Sequence, residues 1–130
     1  MTMSECVSVM SAELRSRVAG LRQTGEGEYT CTIDFDPAFR GFEGHFEGNP
    51  IVPGVCLIQA ARVTAEAALG KTLAARSMSN CRFRRPVLAG EQAAVTIKLD
   101  NTGEELWRIR ADIRVRGEVC TRLQMEVAAL

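Results

Sequence analysis

The stretch VCLIQAARVTAEAAL, residues 55–69, decides how the rest of the chain is read. It is rich in Ala and Leu and free of Gly and Pro, which favours a helix. Pro53 stands just ahead of it and Gly70 just after it, the asymmetry expected at the two ends of a helix. Apolar residues occur almost all round, so most of this helix has to be buried. The exceptions are Gln59, Arg62 and Glu66, whose spacings of three and four put them along one face. Arg62 and Glu66 are spaced for an i,i+4 ion pair.

Working outward, the remaining pattern is that of strands. Tyr29, Cys31, Ile33 and Phe35 alternate with Thr30, Thr32, Asp34 and Asp36, the period of two that marks a half-buried strand. A loop rich in Gly and Pro runs from Pro37 to Pro53. Beyond the helix, residues 77–87 read as an irregular extended run and Leu88 to Glu91 as a turn. Val95, Ile97 and Leu99 then alternate with polar neighbours. Asn101-Thr102-Gly103 reads as a hairpin connection. Trp107, Ile109, Ala111, Ile113 and Val115 alternate with Arg108, Arg110, Asp112, Arg114 and Arg116, and Val119 to Val127 continue the alternation. The arginines of this strand read as a solvated outer face. One buried helix against an antiparallel sheet is an α+β arrangement. Residues 1–27 are the least defined: Ser11 to Leu21 reads as a short helix or an irregular strand, and Thr24 to Gly27 as a turn.

Composition bounds the function. The 130 residues suit one domain, 1–130, with no linker or repeat to divide it. Sixteen basic and sixteen acidic residues cancel, which argues against nucleic acid as the main partner. No apolar run approaches a membrane span, and the first residues lack the pattern of a secretory signal. Cys6, Cys31, Cys56, Cys81 and Cys120 are odd in number and include no C-x-x-C pair. They read as reduced thiols of a cytoplasmic protein, with no metal site.

Chemistry concentrates in GFEGHFEGNPIVPGVCLIQAA, residues 41–61. His45 is the single histidine, and a neutral imidazole can take a proton near pH 7. A surface or capping histidine is the bland alternative. At Gly54 and Val55 the first helix amides have no partner within the helix. They point outward with partial positive charge, suited to a thioester oxygen. The bland alternative is that Pro53-Gly54 simply starts a helix.

The segment GHFEGNPIVPGV resembles the signature of the bacterial β-hydroxyacyl-acyl carrier protein dehydratases, G-H-F-P followed by P-I-x-P-G-V. Gly44, His45, Phe46, Pro50, Ile51, Pro53, Gly54 and Val55 match it. RFRRPVLAGE, residues 82–91, is similar to the family's second motif, K-F-R-R-P-V-x-P-G-D, and the resemblance spans roughly residues 28–128. It implies a hot-dog fold, an antiparallel sheet wrapped around one long helix, and a dimer with two sites at its interface. Carried over, His45 is the base that removes a proton beside the thioester and the Gly54 amide bonds the thioester oxygen. Phe46, Pro53 and Val55 fall to substrate binding. The family's helix acid falls on Gln59, which can donate a hydrogen bond or hold a water but cannot titrate. Its following glutamine falls on Val63 and its proline after His-Phe on Glu47, and its N-terminal segment has no counterpart. Glu47 and Glu66 are the carboxylates available to replace the missing acid.

The resemblance also implies a substrate carried on the phosphopantetheine of an acyl carrier protein or of coenzyme A, with no other cofactor. Arg82, Arg84 and Arg85 are the candidates for meeting an acidic carrier protein, against the alternative of an ordinary charged strand. Three functions follow: a dehydratase in which Gln59 does part of the acid's work; a non-catalytic acyl-thioester or carrier-binding subunit; and an acyl thioesterase. The assembly expected is a homodimer or larger oligomer, or a heterodimer with a complete homologue.

Overall fold

The computed structural model describes residues 3–42 and 50–130, with side chains from residue 9 onward. Helix α1 covers Met3–Arg17, strand β1 Val18–Gly25 and β2 Glu28–Phe35; a 3-10 turn follows at Arg40–Phe42. Helix α2 covers Gly54–Leu69. Four strands complete the chain: β3 Leu73–Phe83, β4 Glu91–Gly103, β5 Leu106–Val115 and β6 Glu118–Ala129. The strands form one antiparallel sheet in the order β1-β2-β4-β5-β6-β3, with β1 and β3 at its edges.

Helix α2 is the axis of the molecule. It begins without a side-chain cap at Pro53 and ends at Gly70, whose left-handed backbone (φ 66°, ψ 32°) returns its N–H to the Glu66 carbonyl at 2.8 Å. Cys56, Leu57, Ala60, Ala61, Val63, Thr64 and Ala65 are all buried. Three of these are alanines, so strand side chains can approach the helix backbone closely. Thr64 meets its polar need locally, its hydroxyl donating to the Ala60 carbonyl at 2.7 Å.

The sheet supplies the other half of the core. Register sets inward residues of neighbouring strands opposite one another: Ile33 with Ala93, Ile97 with Ala111, Ile109 with Met125, Ala111 with Leu123. All of these are buried. The outer face carries cross-strand ion pairs, Arg108 with Glu126, Arg110 with Asp100 and Arg122 with Asp112, as its alternation of charge predicts. The curved sheet around an apolar helix is the hot-dog arrangement.

Three local expectations are corrected. The open segment Ser11–Leu21 is both things in turn. It is helix to Arg17, held down by the fully buried Leu14, and then a strand made irregular by Gly20 at φ 63° and a register shift between Ala19 and Arg22. The hairpin expected at Asn101–Gly103 lies two residues later, at Glu104-Glu105, because pairing continues through Asn101 with Trp107 and Gly103 with Leu106; Glu105 takes the positive φ of 56°. The extended run expected at 77–87 begins at Leu73 and ends at Phe83, with Asn80 at φ 53° inside a register shift.

The chain between β3 and β4 is locked by charge. Arg85 forks onto Glu91, Nη1 to Oε1 at 3.0 Å and Nη2 to Oε2 at 2.8 Å, and its Nε pairs with Glu118. Glu91 Oε1 also accepts the Leu88 amide at 2.8 Å. The Arg85 guanidinium holds the Glu91 carboxyl at a pKa of about 2, against the opposing effect of burial. A carboxyl lowered on folding stabilises above its unfolded value of about 4.3, and that contribution fades as pH falls towards 2. Glu91→Gln is therefore expected to lose about 1–3 kcal/mol at pH 7. Urea unfolding at pH 7 and pH 3 checks it: the gap between native protein and variant narrows at the lower pH.

Candidate active site

The two motifs of the sequence meet in space. The Val52 amide donates to the Val87 carbonyl at 2.7 Å, the Ala89 amide donates to the Pro50 carbonyl at 3.0 Å, and Ile51 bridges Leu88. The segment Pro50–Val52, which leads into α2, is thus a short antiparallel partner of Val87–Ala89. Arg85 and Glu91 fix the second segment, and the second segment fixes where α2 begins.

At that beginning, Pro53 is extended (φ −57°, ψ 144°) and its carbonyl accepts the Cys56 and Leu57 amides. The Gly54 and Val55 amides have no acceptor among the described residues. They are the free donors at the positive end of a helix of four turns. Gly54 lets a neighbour approach closely. A Cβ on it would lie 2.9 Å from Cζ of Phe83, whose ring packs against the helix start from the end of β3. Ile51, Val55 and Phe83 are about half exposed, at 47, 46 and 54%. Free amides with apolar side chains beside them can bind an oxygen carrying partial negative charge. The low-polarity surroundings strengthen that contact.

One turn further on, Gln59 is half buried. Its side-chain oxygen accepts Nε of Arg62 at 2.7 Å. Arg62 is itself buried and reaches Glu66 Oε2 at 2.9 Å, the Leu73 carbonyl at 3.0 Å and the Ser11 hydroxyl on α1. Glu66 accepts in addition from the Leu73 amide at 2.8 Å and from Arg15. The ion pair expected from spacing is present, and both oxygens of Glu66 are engaged within the fold. The contribution of α1 was not legible: Ser11 and Arg15 lie far from α2 in sequence, and no local pattern announces them.

The other site expectations divide. His45, Phe46 and Glu47 lie outside the described residues. Gly54, Pro53, Val55 and Gln59 share the first turns of α2. Phe83 was not singled out beforehand, although it stands inside the second motif. Arg82 and Arg84 are exposed, with no side-chain partner among the described residues. They line a groove across the outer face of the sheet together with Lys98, Arg110 and Arg122. Arg85 is engaged by Glu91 and Glu118 within the fold.

Comparison with known proteins agrees with this architecture. The family model described as ApeI-like, ApeI dehydratase, matches residues 21–121. The chain belongs to that family. It is 34% identical over 85 residues to a 3-hydroxyacyl-[acyl-carrier-protein] dehydratase FabZ of Paramagnetospirillum magneticum, covering 58% of this chain and 53% of the relative. To the corresponding FabZ of Geobacter metallireducens it is 31% identical over 94 residues, covering 65% of this chain and 63% of the relative. The chain thus spans between half and two-thirds of the length of these relatives. Among solved structures, the dehydratase heterocomplex ApeI:P of Xenorhabdus doucetiae superposes with a TM-score of 0.69 at 22% identity, over 85% of this chain and 96% of that one. At that identity the likeness concerns the fold.

Gly54→Ala tests the packing at the helix start. The Phe83 ring is half exposed and can swing aside, and alanine favours a helix by about 0.5–1 kcal/mol over glycine. Thermal stability is expected to stay equal or rise while the aromatic resonances of Phe83 shift in NMR spectra.

Proposed function

We propose that the chain is a 3-hydroxyacyl thioester dehydratase, a hydro-lyase acting on a β-hydroxyacyl group carried by an acyl carrier protein or coenzyme A. The observation that carries this reading is the pair of amides at Gly54 and Val55, without an acceptor among the described residues, at the tip of a buried helix and beside Phe83. Family membership and similarity to 3-hydroxyacyl-[acyl-carrier-protein] dehydratases support it.

In this reading the thioester oxygen accepts from the Gly54 amide, which lowers the cost of charge on that oxygen as the adjacent C–H bond breaks. His45 takes that proton. The electrons form the double bond as the C–O bond to the β-hydroxyl breaks, and the His45 imidazolium returns its proton to that oxygen, which leaves as water. Gln59 stands where the resemblance puts an acid and contributes a hydrogen bond to the departing hydroxyl or to a water beside it. Phe46, Pro53 and Val55 border the acyl chain. Arg82 and Arg84, exposed and without a side-chain partner among the described residues, meet the acidic carrier; Arg85 is left to its task within the fold.

The experiment is turnover of a 3-hydroxyacyl thioester on a carrier protein and on coenzyme A, followed by ultraviolet absorbance of the enoyl product. His45→Ala is expected to lower kcat about 100 to 10,000-fold, the usual contribution of a positioned base. Equal rates in native protein and variant would remove His45 from the mechanism. Carrier binding without turnover would favour the non-catalytic subunit, and release of free thiol the thioesterase.

The working assembly in this reading is a dimer joined along β3. That strand is an edge, and it carries Met78 and Phe83, both about half exposed in the single chain. Apolar side chains on an open edge call for a cover. The relative from Xenorhabdus doucetiae is a heterocomplex, so a related subunit is the competing partner. Met78→Lys is expected to shift the mass measured by light scattering towards the monomer. An unchanged dimer would move the interface elsewhere.

A further inference from the structure

Position 59 presents a side-chain amide that is not free to turn. Its oxygen is held at 2.7 Å by Nε of Arg62, three residues along the same helix. Arg62 is not free to turn either. Its other nitrogens are committed to Glu66 on α2, to the Leu73 carbonyl at the start of β3 and to Ser11 on α1. Glu66 is held in turn by Arg15 on α1 and by the Leu73 amide. Arg62 and Glu66 are both buried, and the network ties three elements together.

A planar primary amide has one accepting end and one donating end. Here the accepting end faces a guanidinium, which has no acceptor to offer and repels the NH2 group. The amide therefore cannot flip without breaking the bond to Nε and setting donor against donor.

We propose that Arg62 is a positioning residue which clamps the Gln59 amide by its oxygen, leaves the Nε2 hydrogens as its working end, and makes position 59 a neutral hydrogen-bond donor. The proposal rests on reading Gln59 as part of the site. It deepens that reading by explaining why glutamine, rather than a carboxylic acid, suits this helix. A carboxylate set at the same place would face Arg62 directly, from α2 itself. Among the described residues of this network Glu66 is the acidic group, and Arg15 of α1 bonds it in turn. An adjacent guanidinium favours the ionised carboxylate. That form can accept but not donate, so the arginine that orients an amide would disable an acid.

The test uses the full chain carrying Gln59→Glu. Carbon-13 NMR titration of the introduced carboxyl, found by difference from the native spectrum, is expected to give a midpoint below the usual glutamate value of about 4.3. Adding Arg62→Met should raise that midpoint by about one unit or more. A midpoint at or above about 4.3 in the single variant overturns the proposal, and this measurement stands even if the double variant does not fold. In turnover, Gln59→Glu is expected to be no faster than native protein at pH 7, and a faster variant overturns the proposal. Arg62→Lys keeps the positive charge but lacks the Nε donor. It is expected to lower kcat more than it changes KM, and an unchanged kcat counts against the clamp. If native protein shows no turnover at all, the dehydratase reading fails while the titration still decides the role of Arg62.

Discussion

A helix that is apolar almost all round cannot rest against one surface; it has to be enclosed. That requirement governs this molecule. Helix α2 offers Leu57 and Val63 for packing and Ala60, Ala61 and Ala65 for close approach, and all five are buried. A flat sheet would cover one side only. The strands curve round it, and the inward rows running from Ile33 through Ala93 and from Ile109 through Met125 meet the helix from several directions. Helix α1, anchored by Leu14, closes a side the sheet leaves open. The tip of α2 then has only one way to face, towards the segment 50–53 and the end of β3. A pair of donors without acceptors among the described residues is left there, because the first amides of a helix have no preceding turn to bond.

Burying the polar face of α2 creates a second demand. Arg62 and Glu66 leave water as the helix is covered, and an unpaired charge in that position would cost several kcal/mol. The chain answers with a connected set of bonds rather than a lone pair: Arg62, Glu66, Arg15, Ser11, Gln59 and both backbone groups of Leu73. Such a set specifies one arrangement of α1 against α2 and β3, because shifting any member strands another. It also reaches the site, since Gln59 is one of its members. Structure and chemistry share these atoms, so changes in the network would be felt at the first turns of the helix.

The segment between β3 and β4 shows the same economy of parts. Arg85 reads in the sequence as one of three similar basic residues, yet it forks onto Glu91 and holds the stretch that pairs with Pro50–Val52. Arg82 and Arg84 remain exposed at the rim of a basic groove. Sequence neighbours of one charge thus have different tasks, set by which of them lies opposite a buried carboxylate.

Periodicity and punctuation determined much of this protein without any coordinates. Alternation identified the faces of β2, β4, β5 and β6, because a side chain's face in a strand depends only on parity. Pro53 and Gly70 marked the ends of α2, because their backbone limits are local. The i,i+4 pairing of Arg62 with Glu66 was legible for the same reason. Tertiary structure decided what depends on distant partners. It divided residues 3–25 between helix and bulged strand and moved the turn between β4 and β5 to Glu104-Glu105. It brought Phe83 onto Gly54, and it carried Ser11 and Arg15 to the buried end of Arg62. No local rule reports these contacts, since each joins residues whose separation along the chain is unrelated to their separation in space.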